Sequence, residues 1–221
     1  MDRRALRVGV VAAVLVAGST LSPGVAIVGA QNTTNQWWPE IGIYWSMTTR
    51  YRLYALAQLQ EERQVGESEV SYGLHFDDMS IRHGYARVGY RYLYTLNDPG
   101  HPEHRILLEY ALHGVGATRY ANRLRLEMRN MTGDWSARVR ERARIEHDTH
   151  AGNVRLLPYT SAELFYDSRA GGFSRLRSHV GSELHFTKTV GLDLAYVRQD
   201  DWHGKTAHVN AMLTKLLLIF R

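Results

Sequence analysis

The chain of 221 residues has no cysteine and only five prolines. The lack of cysteine excludes a disulfide framework and any metal or catalytic site built on thiolates. Beyond residues 1–30, no apolar run approaches the roughly eighteen residues that a transmembrane helix requires. Any integration of the remaining chain into a membrane must therefore use a β-barrel.

Residues 1–30 predict a secretory signal peptide, because three arginines within the first seven residues precede an apolar run over 8–17. That run is too short to span a bilayer as a helix. We expect cleavage after Ala30, which leaves residues 31–221 as the mature protein. The alternative is an uncleaved N-terminal membrane anchor. No cysteine follows the segment, so a lipoprotein is excluded.

The chain is basic, with 27 Lys and Arg against 22 Asp and Glu. A basic balance can indicate a nucleic-acid partner. Here the arginines recur at strand spacing and are interleaved with glutamates, which favours internal ion pairs over nucleic-acid binding. The 11 histidines lack the tight spacing of metal ligands. We therefore expect no nucleic acid, no metal and no cofactor.

The most regular stretch is 122–147, where charged and apolar residues alternate on both sides of a turn over 130–134. Period two indicates strands, because successive side chains of a strand point to opposite faces. A turn containing Gly133-Asp134 between two such runs predicts a β-hairpin. In a soluble sandwich the apolar face of this hairpin would form the core. In an outer-membrane barrel the apolar face meets lipid and the charged face lines the lumen.

Similar alternation fills the rest of the mature chain with about eleven strands, many of about nine to fourteen residues. Strands of soluble proteins average about five or six residues. Bacterial single-chain barrels normally have an even number of strands, with crowded aromatic residues near the interfaces. We therefore predict an all-β fold, a closed antiparallel up-and-down transmembrane β-barrel of ten to twelve strands, with both termini at the periplasmic end. The pattern also predicts a short strand over 70–76, a turn at Asp77-Asp78, and loops over 97–104 and 148–153.

The alternation assigns a set of charged residues to the lumen, which is the candidate functional site. Two interpretations stay open: a structural network of ion pairs that closes the interior, or a charged lumen that binds or passes an anionic solute. By the same count Glu141 falls on the outer, lipid-facing side, unless a bulge shifts the register. The predicted lumen residues are Arg87, Arg91, Arg105, Glu109, Arg123, Arg125, Glu127, Arg129, Arg138, Arg140, Arg142, Arg144, Glu146, Glu163, Arg175, Arg177, Glu183 and Asp193.

A serine and a histidine near residue 180 raise the possibility of a lipid hydrolase. A nucleophile and its base need to lie within hydrogen-bonding reach of each other. His179 and Ser182 are three residues apart on one strand, so they point to opposite faces. No catalytic residue is therefore assigned, and an outer-membrane lipid hydrolase is the less favoured alternative.

Several segments resemble an uncharacterised family of small outer-membrane proteins of Gram-negative bacteria, filed as a domain of unknown function. The segments are a tryptophan-led first strand at Trp37-Trp38, Val88-Gly89-Tyr90, 123–129, 138–144, Ser161–Phe165 and a last strand that ends in an aromatic residue. The resemblance implies the barrel fold and the outer membrane, but no known activity. Outer-membrane barrels commonly end in an aromatic residue that the insertion machinery reads. Here that residue is Phe220, and Arg221 follows it.

These observations together predict a small outer-membrane protein that is structural or forms a narrow, porin-like pore with an Arg/Glu-lined interior. The alternative is an anion-preferring channel. The expected partners are outer-membrane lipid, the barrel-insertion machinery and, where the lumen is open, a small anionic solute.

Overall fold

The computed structural model describes residues 33–62, 68–203 and 208–221. The predicted signal peptide lies outside these residues. All regular elements in the described ranges are strands. Within the same ranges, no helix is long and apolar enough to cross a membrane. The strands are β1 Thr33–Ser46, β2 Tyr51–Glu62, β3 Ser68–Asp78, β4 Gly84–Thr95, β5 Asp98–His113, β6 Thr118–Met131, β7 Asp134–His147, β8 Thr149–Ala151, β9 Val154–Asp167, β10 Gly172–His185, β11 Val190–Asp201 and β12 His208–Phe220.

The strands form one sheet that closes on itself, because β1 pairs with both β2 and β12. The short β8 follows β7 directly after Asp148, and both pair with β9. The barrel wall therefore has 11 strands, with β7 and β8 sharing one position. All neighbours are antiparallel except β1 and β12, which are parallel.

The parallel closure corrects the predicted fully antiparallel arrangement and the preference for an even strand number. When successive strands of a barrel alternate in direction and their number is odd, the last strand runs in the same direction as the first. The closing pair is therefore parallel. Thr33 accordingly pairs with His208 at one end of the barrel, and Trp45 pairs with Phe220 at the other. The start of β1 and the end of β12 thus lie at opposite ends, and the expectation that both termini share one end is wrong.

The hairpin predicted over 122–147 consists of β6 and β7. Its turn, at Thr132-Gly133, lies within the predicted stretch 130–134 and is shorter than that stretch, because Asp134 already belongs to β7. Both turn residues have positive φ, 52° at Thr132 and 97° at Gly133. Two central residues with positive φ give the turn the twist that antiparallel strands require. The turn sets a register in which Arg125 lies directly opposite Arg140.

Three predicted boundaries are wrong because strands extend into stretches that the sequence suggested were irregular. The short strand over 70–76 is β3, which runs to Asp78. The predicted loop over 97–104 belongs mostly to β5, and the pairing register shifts near its start, between Leu93 and Thr95. The shift accommodates the prolines and glycine that suggested a loop. The polar segment 148–153 contains β8.

The two faces of the barrel wall have opposite character. Large apolar side chains are exposed on the outer face of nearly every strand, whereas many charged side chains are buried on the inner face. The inner face also has an apolar cluster, formed by Trp38, Val197, Val209 and Ala211 with Leu213 packed against them. These residues come from β1, β11 and β12, the strands at and beside the closure.

Candidate functional site: a charged lumen

The barrel encloses a cavity of about 880 Å³. Its lining on β12 runs from Val209 near the start of the strand to Arg221 just beyond its end. Arginines from β2, β4, β5, β6, β7 and β10 line it, with fewer carboxylates among them. The cavity is thus a cationic lumen that follows the length of the wall.

All the residues that the sequence assigned to the lumen lie on the inner face. Most of them line the cavity, while Glu109, Glu127 and Glu146 take part in ion pairs in its wall. Glu141 is exposed on the outer face and accepts a hydrogen bond from Asn122 Nδ2 at 3.2 Å. No register shift occurs between β7 and either neighbour, so the bulge alternative does not apply to Glu141.

Carboxylates separate the opposed arginines of the β6–β7 hairpin. Like charges directly opposite one another destabilise a strand pair, and Arg125 faces Arg140 in this way. Arg125 Nε donates to Glu109 Oε2 at 2.6 Å on the β5 side. Arg140 donates to Glu127 at 2.7 Å and to Glu163 of β9 at 2.9 Å. Glu127 of the hairpin itself, Glu109 of β5 and Glu163 of β9 therefore supply the counter-charges.

A second group of ion pairs lies nearer the turn of the same hairpin. Arg129 donates to Glu103 Oε2 at 2.8 Å and to Asp167 Oδ2 at 2.9 Å. Arg138 Nη2 lies 2.8 Å from the same Asp167 oxygen, and Arg105 also pairs with Glu103. Glu103 was missed because it fell in a predicted loop, and Asp167 because it ends its strand. Glu103 is two residues from Arg105, and Asp167 is four residues from Glu163, so each lies on the same face of its strand as that residue. This spacing could have identified both as inward-facing from the sequence.

Asp77 is another functional candidate that the sequence did not reveal. It is fully buried, and it accepts hydrogen bonds from Arg87 Nε at 2.6 Å and from Arg52 Nη2 at 2.7 Å. The pair Asp77-Asp78 was interpreted as a turn, but the turn follows at 79–83 and Asp77 is the last inward residue of β3. Asp77 thus links β2 and β4 through one carboxylate.

A separate polar group bridges the parallel closure. Glu40 of β1 and Lys215 of β12 are direct partners in the pairing, and Lys215 Nζ lies 2.8 Å from Glu40 Oε1. Tyr54 of β2 donates its hydroxyl to Glu40 at 2.8 Å and accepts a hydrogen bond from Lys215 at 2.8 Å. The three side chains form a closed set beside the apolar cluster.

On the described strands, three cavity-lining arginines have no carboxylate within ion-pair distance: Arg91, Arg142 and Arg177. Arg177 donates to the neutral Gln199 at 2.6 Å, and its guanidinium lies 4.8 Å from the ring centre of Trp38. Arg91 Nε is buried with no hydrogen-bond partner. The lumen therefore combines paired charges with cationic groups that remain uncompensated.

The suggested serine–histidine pair does not form, because Ser182 lies on the outer face and His179 on the inner face. His179 instead contacts Ser161 of β9, with Nδ1 3.3 Å from Oγ. Among the described residues no hydrogen bond joins a carboxylate to His179. In those same residues no group of three His, Asp or Glu side chains is arranged to hold a metal ion.

At one rim of the barrel, between β7 and β8, Asp148 accepts hydrogen bonds from Arg155, at 2.9 Å from Nε to Oδ1. These hydrogen bonds hold the pKa of the Asp148 carboxyl below its ordinary value. The Asp148 carboxylate therefore stays ionised to lower pH than an ordinary aspartate. Over that range it holds Arg155 beside the turn that joins β8 to β9.

The match to a family model spans residues 28–210, most of the chain. The chain belongs to the DUF2490 family. The family is described as proteins of unknown function, which agrees with the predicted resemblance to an uncharacterised family. The DUF2490 match begins before β1 and ends within β12, so it includes the whole charged hairpin. No curated protein and no solved structure matches this DUF2490 chain.

Proposed function

We propose that this protein is a Gram-negative outer-membrane β-barrel whose cationic lumen admits small anionic solutes. The observation that carries the proposal is that the barrel reverses the usual arrangement of a soluble protein. Charged side chains are buried inside, and large apolar side chains are exposed outside. Ile106, Leu108 and Tyr110 alternate along β5 and are about half exposed, at 48%, 55% and 46%. Between them Leu107 and Glu109 are buried.

The outer face is hard to reconcile with an aqueous environment. Soluble monomers rarely expose contiguous apolar patches larger than a few hundred Å². Here the exposed apolar side chains continue around the barrel, from Ile41 and Ile43 on β1 to Met212 and Leu216 on β12. A membrane barrel has this pattern, with an apolar band outside and a polar interior. The strands, of about the length needed to cross a bilayer, support the same assignment.

Two features of the lumen favour an anionic solute. Arginine is the most frequent charged residue in the lining of the cavity, and Arg91, Arg142 and Arg177 have no carboxylate within ion-pair distance among the described residues. The cavity also extends along the wall instead of being filled by side chains. A focused positive potential raises the local concentration of anions and discourages cations.

The structural interpretation remains the main alternative, and the dense ion pairs around Glu109, Glu127 and Glu163 favour it. In that case the interior stabilises the barrel and passes nothing. The lipid hydrolase alternative has weaker support: Ser161 and His179 face the interior, whereas lipid acyl chains would contact the outer face.

Phe220 fits the proposed assembly signal recognised by the insertion machinery. It lies on the outer face, 49% exposed, at the last position of β12, and it pairs with Trp45. An exposed aromatic side chain at the end of the final strand is accessible to an insertion factor before the parallel closure forms. Arg221 instead lines the cavity.

Conductance in planar bilayers tests the proposed passage of anions. Purified, folded protein should give discrete conductance steps, and a salt gradient across the bilayer should produce a reversal potential of the sign expected for anions. The Arg excess in the lumen is the physical reason. Folded protein that inserts without conducting would contradict passage and favour the structural barrel, and a cation preference would contradict the role assigned to the arginines.

A further inference from the structure

We propose that the lumen contains a binding site for a phosphate-type dianion, formed by Arg123, Arg142 and Arg177. This deepens the proposed function and rests on it, since it names the class of anion that the lumen would take. The residues belong to one row across adjacent strands: Arg123 pairs with Arg142, Arg142 with Glu163, and Glu163 with Arg177. We call these four residues the arginine row.

The charge of the arginine row is not compensated within the protein. Its only carboxylate, Glu163, already accepts hydrogen bonds from Arg123 and from Arg140 of the neighbouring row. Arg142 has no hydrogen bond and no carboxylate within ion-pair distance in the described part of the chain, and Arg177 donates only to Gln199. Arg123 Nε also lies 3.7 Å from Glu109 Oε2, so the two positive charges of the row that have no carboxylate partner are those of Arg142 and Arg177.

The geometry of the row suits an anion larger than a halide. All four side chains line the cavity. Neighbouring strands lie about 4.8 Å apart, so the Cα atoms of Arg142 and Arg177 are separated by about 10 Å. Their long side chains can reach an anion held between them from two sides. Arg123 and Arg142 are direct neighbours of the same sign, an arrangement that destabilises a strand pair unless an anion joins them.

The chemistry of guanidinium selects the class of ligand. Its planar fork donates two parallel hydrogen bonds to phosphate or carboxylate oxygens. A phosphate group carries a charge of about −1.5 to −2 at pH 7, which matches the surplus of the row. Chloride matches neither the charge nor the fork. The arginine row faces the interior of the barrel, and the proposed lipid-facing surface is on the other side of the wall. The ligand is therefore a soluble phosphate and not a lipid headgroup.

The test measures binding of inorganic phosphate to folded protein in detergent by isothermal titration calorimetry. In Arg142→Gln we expect an affinity weaker by roughly ten- to a hundredfold, the usual effect of losing a hydrogen bond to a charged group. The thermal unfolding midpoint should not fall, because Arg142 makes no ion pair. Arg177→Gln should also weaken binding. The matched control is Arg50→Gln at the β1–β2 turn, where Arg50 pairs with Asp78 outside the lumen, and its affinity should equal that of the wild type.

Three results would overturn the site: no phosphate binding by the wild type, equal binding by the wild type and Arg142→Gln, or equally effective competition by chloride. Binding of a phosphorylated lipid in micelles, lost in Arg142→Gln while inorganic phosphate stays inert, would overturn the assignment to a soluble anion. Because calorimetry needs no bilayer, phosphate binding without conductance would contradict passage alone. Anion conductance without phosphate binding would contradict this site alone.

Discussion

The inner surface of the barrel has two unlike walls. On β5, β6, β7 and β9 it consists largely of arginines and carboxylates, and Glu127 and Glu163 are each only 1% exposed. Around the parallel closure, on β11, β12 and β1, it combines the apolar cluster with fewer charged side chains: Glu40 and Lys215, which form a polar set with Tyr54 of β2, and Asp193 and Asp201 of β11. We refer to these as the charged wall and the closing seam.

The difference follows from how each wall acquires its register. In the charged wall every strand is joined to the next by a short turn, and turn geometry fixes hairpin register. Charged side chains on neighbouring strands are therefore held opposite one another. The two strands that close the seam, β1 and β12, come from the two ends of the described chain, with no turn between them. The register of β1 on β12 depends on side-chain packing around Trp38, on the pair Glu40–Lys215 and on the hydrogen bond from Trp37 Nε1 to Thr214 Oγ1.

The largest effect is expected in the charged wall, from Glu127→Gln. Glu127 is the buried partner of Arg140 at 2.7 Å and lies 3.6 Å from Arg125. Removing one member of a buried ion pair leaves its partner uncompensated, at a cost of about 3–5 kcal/mol. We expect the transition of the heat-modified band on gels to move clearly to lower temperature. Glu141→Gln, on the outer face of β7, is the matched control and should leave the transition unchanged. An unchanged transition for Glu127→Gln would mean that the charged wall is wide and wet.

A smaller effect is expected at the closing seam from Lys215→Met. The substitution removes one charged hydrogen bond from Glu40, worth about 1.5–3 kcal/mol, while the bond from Tyr54 remains. Denaturant unfolding should record the loss. Adding Glu40→Gln should restore much of it, since replacing a whole buried pair is often neutral. Equal stability of the single and double variants would contradict the view that this pair anchors the seam.

The smallest effect on stability, but a distinct effect on assembly, is expected at the outer end of the seam. Phe220→Ala should lower the fraction of folded protein in the outer membrane, because it removes the exposed terminal aromatic side chain. Phe186→Ala is the matched control: Phe186 is 48% exposed at the same end of the barrel but does not end the last strand. Deletion of Arg221 should leave the yield unchanged. Similar yields for Phe220→Ala and the wild type would remove the assembly role.

The sequence predicted the two faces well, because strand periodicity is local and Arg123 to Arg129 alternates without interruption. It did not predict the closure. The pairing of β1 with β12 joins distant segments with no turn between them. The strand pattern itself gave a count of about eleven, but the general preference of bacterial barrels for even strand numbers was given more weight. Asp77 and Glu103 were missed for a different reason: Asp77 lies at the end of β3, and Glu103 follows proline and glycine within β5, and such residues suggest a turn or loop whether or not pairing continues.

The arginine row was only partly accessible from the sequence. The alternation of inward and outward residues along each strand was enough to assign each of its residues to the lumen. Their alignment in one row requires the registers of three strand pairs, and each register depends on a turn whose position was uncertain by a residue. A shift of one residue in a turn changes which charges are opposed.

The central claim is that the apolar outer face contacts lipid while the cationic inner face encloses water. The most direct measurement places a fluorophore on a single cysteine at Met212 or at Leu213, neighbouring residues of β12, in a chain that has no cysteine of its own. Met212 is 50% exposed on the outer face, and Leu213 lines the cavity. In bilayers, nitroxide lipids should quench the Met212 label strongly and the Leu213 label weakly, and iodide should show the reverse order. Iodide quenching of both labels, with no effect of the nitroxide lipids, would contradict a membrane barrel.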